Sequence, residues 1–271
     1  MQHIKLPAFL TIRYANAIIQ RCESAILSAD KEIVFDFSIC RFSDPFAVTV
    51  LVGAMKACIA KGRAVKYRSS PNKKLEDFFT NIGFYEWGRS TVGAGKFAGQ
   101  QVELQHLTAV NPGYTDAVLG VLQNYLLMSP GVRDSLHMSI TELMTNTFDH
   151  SETVEGCFVC AQAYRDRGNI SICLTDFGKG ILKALSSSPR YSYLINSLEA
   201  IELAVREGVS SRADKLAGLG LTHIQRFLQI NNGEMHIISG DGWVHWNYQN
   251  GNGVKISRKK LALAFEGTIV N

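Results

Sequence analysis

The sequence predicts a mixed α/β fold, and three observations support this prediction. Hydrophobic residues make up 46% of the chain and charged residues 19%, which are proportions of a folded globular protein. Short β-rich runs alternate with apolar stretches of helical period through the first third of the chain, as in a sheet covered by helices. Further along, helices and antiparallel strands are partly segregated, which is typical of a two-layer α/β sandwich.

The first predicted domain spans residues 1–95. Its helices have apolar residues at helical spacing, and Gly62 and Gly83 mark the ends of two of them. Its strands are short runs rich in β-branched and aromatic residues, such as Ile33 to Phe37. We predict helices at 8–27, 46–60 and 71–82, and strands at 33–37 and 64–67.

The second predicted domain spans residues 96–271 and follows a glycine-rich linker at 88–100. The linker contains GAGK, but Phe97 stands where a phosphate-binding loop needs Ser or Thr. In the second domain we predict helices at 114–127, 132–148, 191–206 and 221–230, and strands at 102–107, 156–164, 169–175, 235–239, 243–248 and 267–270.

Charge and composition exclude several classes of function. The net charge of +4 is spread over several elements, whereas a nucleic-acid surface needs a concentrated basic stripe, so we expect no direct nucleic-acid partner. The start of the chain lacks a basic segment followed by an apolar one, and the longest apolar stretch is interrupted by Lys56. We therefore expect a cytoplasmic protein without a membrane partner. Cys157 and Cys160 form a CxxC pair inside a segment typical of a buried strand.

The helix predicted around 135–151 carries two adjacent stripes. Leu136, Ile140, Leu143 and Thr147 lie on an apolar stripe, and ExxxNxxxH places a polar stripe beside it. The polar stripe consists of Glu142, Asn146 and His150. A carboxylate, an amide and an imidazole at the rim of a buried face suit a polar binding site, and a solvated helix flank is the alternative.

Two glycine-containing segments follow. A predicted strand runs into Asp176 and the glycines Gly178 and Gly180, where a carboxylate can accept a hydrogen bond from an exocyclic amine and the backbone can approach a ligand. Gly218-Leu219-Gly220-Leu221 precedes a helix, where backbone amides can approach an anion. The polar stretch before it, 208–217, suits a mobile lid.

In that stretch, Arg212 and Lys215 are candidate phosphate contacts, and a solvated loop is the alternative for both.

Together these motifs resemble the GHKL ATPases, which include gyrase, Hsp90, histidine kinases and MutL. ExxxNxxxH, DxGxG, GLGL and a closing Gly267-Thr268 occur in the order of that family, and the resemblance covers residues 101 to 271. It implies a two-layer ATP-binding sandwich. No histidine-phosphotransfer helix pair precedes it, which argues against an ordinary sensor histidine kinase.

The resemblance also implies roles for individual residues. Asn146 would bind Mg²⁺, which bridges the ATP phosphates, and Asp176 would accept a hydrogen bond from the adenine amine. Glu142 would activate water, or act as general base in members that resemble anti-sigma-factor serine kinases. Thr268 would lie near adenine, and a plain strand threonine is the alternative. The remaining ATP-binding residues that we assign on these motifs are His150, Gly178, Gly180, Arg212, Lys215, Gly218, Leu219, Gly220 and Leu221.

The first domain is similar to STAS domains, the fold of anti-sigma-factor antagonists. The similarity lies in IVFDFSICRFSDPFAVTVLVGA, a following strand, and LEDFFTNIGFYEW. In that family, an Asp in the loop before the second helix is followed by a phosphorylatable Ser or Thr. Here Asp44 is followed by Pro45, which has no hydroxyl group, so phosphorylation at this position is not expected.

The two resemblances imply a cytoplasmic regulator that binds ATP and Mg²⁺. Three hypotheses follow: a protein serine/threonine kinase of the anti-sigma-factor type, a slow ATPase used as a conformational switch, and a nucleotide-responsive binding module without significant turnover. The expected partner is a regulatory protein of the STAS or sigma type, and a homodimer is left open.

Overall fold

The computed structural model describes residues 1–88, 101–123, 129–153, 156–164, 168–209, 220–248 and 253–271, without the side chains of 101–103, Leu122 and His150. The chain is a mixed α/β protein, which confirms the predicted fold class. Its described part forms two compact units, one from Met1–His106 with Phe158–Cys173 and the other from Leu107–Cys157 with Leu174–Asn271. The predicted domain boundary, between residues 95 and 96, lies outside the described residues.

Helices and strands are both distributed along the described chain. The helices are α1 (Ala15–Leu27), α2 (Pro45–Ala60), α3 (Lys73–Asn81), α4 (Pro112–Gln123), α5 (Pro130–His150), α6 (Gly180–Ser186), α7 (Ser197–Ala204) and α8 (Gly220–Ile230). The strands are β1 (Gln2–Lys5), β2 (Phe9–Leu10), β3 (Glu32–Asp36), β4 (Phe42–Ser43), β5 (Ala64–Arg68), β6 (Gln101–Leu107), β7 (Cys157–Tyr164), β8 (Asn169–Asp176), β9 (Glu234–Asn247) and β10 (Lys255–Val270).

The first unit contains a three-stranded parallel sheet in the order β1-β3-β5. Helix α2 begins where the Asp44 side chain accepts a hydrogen bond from the Ala47 N–H at 3.1 Å, with Pro45 in the first turn. It ends before Gly62, whose φ of +75° favours glycine. Twelve of its 16 residues are buried, because the helix is apolar on almost every side.

The second sheet has the order β6-β7-β8-β10-β9. In the second unit, the end of β8 pairs antiparallel with the end of β10, so that Thr268 lies opposite Asp176. A hydrophobic core forms around Ile237, Val244, Trp246 and Ile201, and partly buried side chains of α5 and α8 pack against it. This pairing and this core hold the ends of β8 and β10 beside α5.

Strand β9 doubles back on itself. The Tyr248 N–H donates to the Gly233 carbonyl at 3.0 Å, and Gly240 has a φ of +59°, which suits the first central position of a two-residue hairpin turn. The two halves of β9, before and after this turn, are its first and second arms. Strand β10 pairs with both of them: Lys255 to Lys260 pair with the second arm, and Thr268 to Val270 pair with the first. The predicted strands at 235–239 and 243–248 are these two arms.

Some elements differ from the sequence prediction. The helix predicted at 8–27 begins only at Ala15, because Phe9–Leu10 pairs with β4. The helix predicted at 191–206 is restricted to Ser197–Ala204, where the Asn196 side chain caps it. Strand β10 begins 12 residues before the predicted Gly267, because Lys255 to Lys260 gain a partner in β9. None of the helices described is both long and apolar enough to cross a membrane.

Candidate functional site

A cavity of about 120 Å³ opens in the second unit beside the pairing of β8 with β10. Its walls are mostly apolar, and its polar groups come from α5 and from the ends of the two strands. The lining residues are Leu143, Asn146, Thr147, Ser151, Leu174, Asp176, Gly180, Ile181, Ala184, Leu185, Ala204, Val209, Leu221, Thr268 and Val270. A cavity of this size with apolar walls can take up a planar ring, since an engineered apolar cavity of roughly 150 Å³ binds benzene.

Asp176 places a carboxyl group at the cavity wall. It ends β8 and is only 3% exposed, and its Oδ1 accepts a hydrogen bond from the Gly178 N–H at 2.9 Å. Burial raises the pKa of this carboxyl to about 7, although hydrogen bonds from the backbone of Gly178 and Thr268 oppose the rise. The group can therefore exchange between neutral and ionised forms near neutral pH.

Glycines allow the backbone segments around Asp176 to approach closely. A Cβ on Gly178 would lie 2.2 Å from the Ser151 carbonyl oxygen, where α5 ends. Gly267 has a φ of +121°, and a Cβ there would lie 2.0 Å from the carbonyl oxygen of Asp176. A side chain at either position would thus push the loop after β8 away from its neighbours.

Ser239 connects three elements beside the cavity. Its Oγ donates to the Gly267 carbonyl and accepts from the Ile181 N–H, at 2.8 Å and 2.9 Å. A Cβ on Gly180, whose φ is +75°, would lie 2.8 Å from the same oxygen. The hydroxyl group therefore fixes the first turn of α6 relative to the end of β10.

Helix α5 contributes further polar groups to the cavity wall. Asn146 and Thr147 line the cavity, and Leu136, Ile140 and Met144 anchor the helix in buried positions. Glu142 lies one turn before Asn146 but is not among the lining residues of the described chain. The Oε2 of Glu142 is 4.0 Å from the Nδ1 of His223 on α8, and the two side chains are partly exposed.

The structure brings together five of the predicted site residues. Asn146, Asp176, Gly180, Leu221 and Thr268 all line the cavity, and Gly178 hydrogen-bonds to Asp176. Gly220 is the first residue of α8. The side chain of His150 lies outside the described residues, as do Arg212, Lys215, Gly218 and Leu219.

Sequence analysis missed three polar residues of this region. Ser151 and Thr147 are buried lining residues, and the Oγ of Ser239 accepts a hydrogen bond from the backbone of Ile181, which also lines the cavity. Ser151 directly follows the ExxxNxxxH motif, so its position at the helix end was a usable signal. Ser239 had none, because its partners are 28 and 58 residues away in the sequence.

Comparison with protein-family models, with curated proteins and with solved structures finds no match for this chain.

Proposed function

We propose that residues 96–271 form an ATP- and Mg²⁺-binding domain of the GHKL type, in a regulatory protein that also contains a STAS-like domain at residues 1–95. The observation that carries this proposal is the convergence of distant motifs on one cavity. Asn146 from α5, Asp176 from the end of β8, Leu221 from α8 and Thr268 from β10 all line it. A solvated helix flank does not account for this arrangement.

The chemistry of the lining residues fits an adenine nucleotide. Asp176 and Thr268 place hydrogen-bonding groups at the wall of an apolar cavity, which is the composition of many nucleobase and cofactor pockets. The amide oxygen of Asn146 is a ligand that hard cations accept. When bound, Mg²⁺ would neutralise charge on the phosphates. Val209, which belongs to the segment 208–217 predicted as a lid, and Leu221 both line the cavity.

The position of Glu142 bears on whether the chain turns nucleotide over or only binds it. One helical turn separates it from Asn146, which supports a role as base in a kinase or ATPase. Its proximity to His223 and its absence from the described lining favour the second candidate, a nucleotide-responsive binding module. Both candidates require nucleotide binding at the same cavity.

The first unit supports the proposed regulatory context. Its parallel sheet and buried α2 suit a STAS-like domain. Pro45 occupies the first turn of α2, and Asp44 is used as the cap of that helix. We therefore propose that a separate STAS-type or sigma-type protein is the partner, and that this chain does not phosphorylate itself at position 45.

Calorimetric titration with ATP, with and without Mg²⁺, tests the proposal. Asp176→Ala should weaken ATP binding more than tenfold, which corresponds to about 1.4 kcal/mol or more. Asn146→Ala should remove the dependence on Mg²⁺. Unchanged ATP affinity in both variants, or no ATP binding by the wild-type chain, would rule out this nucleotide site.

A further inference from the structure

The two arms of β9 bring three metal-ligand side chains to one face. His236 and His245 lie opposite each other, in the register set by the hydrogen bond between Tyr248 and Gly233. The backbone N–H and C=O of His236 both hydrogen-bond to Asn271, which lies on the side of His236 away from His245. His236 and His245 are therefore a non-hydrogen-bonded pair, and side chains in such pairs lie closer together than those in hydrogen-bonded pairs. Glu234, two residues before His236, lies on the same face.

The ligand atoms of these three residues are close together. One ligand atom from each lies within 4.8 Å of the other two. The Nε2 of His245 is 3.1 Å from the Oε2 of Glu234, and the Nε2 of His236 is 4.0 Å from the same oxygen. Glu234 is 47% exposed and His245 is 24% exposed, which leaves a route from solvent. None of the three lines the proposed nucleotide cavity.

We propose that Glu234, His236 and His245 form a binding site for a divalent transition metal, with Zn²⁺ as the preferred ion. Two imidazoles and one carboxylate are a common protein ligand set for zinc, and they leave further positions for water. Imidazole ligands select zinc, copper or nickel over Mg²⁺ and Ca²⁺. The site is therefore chemically distinct from the Mg²⁺ site proposed at Asn146.

Metal binding requires a rearrangement at His236. The Trp243 Nε1–H donates to the Nδ1 of His236 at 3.1 Å. An indole N–H can only donate, so Nδ1 is an acceptor and the ring proton is on Nε2. Coordination through Nε2 moves that proton to Nδ1 and breaks the bond to Trp243.

The rings of His236 and His245 must also rotate, because they are stacked at 3.8 Å with an angle of 9° between their planes. Rotation about the last torsion of a histidine side chain has a broad, shallow energy profile. The Nζ of Lys259 lies 4.6 Å from the centre of the Trp243 ring. Zinc binding should therefore alter the surroundings of Trp243 and change its fluorescence.

Calorimetric titration of the full chain with Zn²⁺, without nucleotide, tests this site. We expect one zinc per chain in the wild type and loss of that binding in His245→Gln. His137→Gln is the matched control, because it removes another imidazole beside a carboxylate, 3.7 Å from Asp116. Circular dichroism establishes that the variants are folded. The absence of zinc binding in the wild type, or equal binding in His245→Gln, would overturn the proposal.

Trp243→Phe tests the rearrangement. Removing the indole donor frees His236 to adopt the metal-binding tautomer, so zinc should bind about fivefold more tightly, the equivalent of one typical net hydrogen bond. In the wild type, the ¹⁵N shifts of His236 should show its proton moving from Nε2 to Nδ1 when Zn²⁺ is added. Weaker zinc binding in Trp243→Phe, or unchanged ¹⁵N shifts, would contradict the exchange.

Discussion

Asp176 is a titratable residue in the cavity wall. Burial raises its pKa to about 7, and only the ionised carboxylate can accept the hydrogen bond of an amine at both oxygens. The ionised fraction falls about tenfold between pH 8 and pH 6. Affinity for an adenine compound should therefore fall about tenfold over the same interval.

Adenosine is the better ligand for this measurement, because it has no phosphate group that titrates. Calorimetry at pH 6, 7 and 8 gives the profile, and Asp176→Asn is the control that should show no pH dependence. An affinity for adenosine that is flat from pH 6 to pH 8 in the wild type would show that the carboxyl of Asp176 does not contact the base.

Glu142 separates the enzymatic hypotheses from the binding module. If it is the general base, Glu142→Ala should leave ATP affinity unchanged and lower turnover about 10²–10⁴-fold, because the base acts on the transition state. Free phosphate and phosphoprotein formed from labelled ATP are the measurements. Asp149→Ala is the control, since Asp149 is exposed and outside the polar stripe. Wild-type turnover in Glu142→Ala would show that Glu142 is not the general base, and the absence of turnover in the wild-type chain would leave the binding module as the function.

At the scale of elements, the tightest constraint on the site is the contact of Gly267 with the end of β8. A side chain at Gly267 would meet the Asp176 carbonyl oxygen and require a backbone conformation that L-residues rarely adopt. Gly267→Ala should lower the free energy of unfolding by about 2–4 kcal/mol. Urea denaturation measures this change.

Gly120 provides a matched control for that substitution. It lies inside α4, and a Cβ there would meet open space. Gly120→Ala should raise the free energy of unfolding by about 0.5–1 kcal/mol, because alanine restricts the unfolded chain and favours the helix. Equal effects of the two substitutions would contradict the steric interpretation of Gly267.

The sequence predicted elements well where residues that mark the end of a helix lie in the segment itself. The helix predicted at 46–60 from its apolar residues and the Lys61-Gly62 stop is α2, whose bounds lie within one residue of the prediction. Strand β1 was missed, because Gln2–Lys5 has a weak pattern of its own and gains its structure by pairing with β3. Helix α6 was missed because it is only seven residues long.

In the candidate site too, residues with a local sequence signal were predicted and a residue without one was missed. Asn146, Asp176 and Thr268 were identified from short motifs, since each motif places a polar group next to a recognisable helix or strand end. Ser239 was not identified, because its role depends on hydrogen bonds to Ile181 and Gly267, which belong to other elements. Long-range pairing of this kind leaves no local pattern in the sequence.

At the scale of the whole molecule, the first unit is assembled from two separate stretches of chain. Residues of the second stretch, Phe158–Cys173, contact the first: Tyr164 packs on Phe42, and the Sγ of Cys173 lies 3.4 Å from the Oγ1 of Thr49. A fragment of residues 1–95 lacks these partners. We expect it to unfold at a lower temperature than the same residues do in the full chain.

Thermal unfolding followed by circular dichroism, for the fragment and for the full chain, provides this comparison. The N-terminal aromatic cluster of Phe37, Phe79 and Phe84 is complete within the fragment and should hold it partly folded. A fragment as stable as the full chain would show that residues 158–173 contribute nothing to the first unit.

The pairing of Thr268 with Asp176 has a kinetic consequence. The two residues are 92 positions apart, and the pairing must close across α6, α7, α8 and the β9 hairpin. Contacts between such distant positions form slowly, because the chain loses loop-closure entropy before the contacts stabilise the fold. Folding should therefore complete the cavity at a late stage, and an occupant that bridges both strands should slow unfolding more than it accelerates folding.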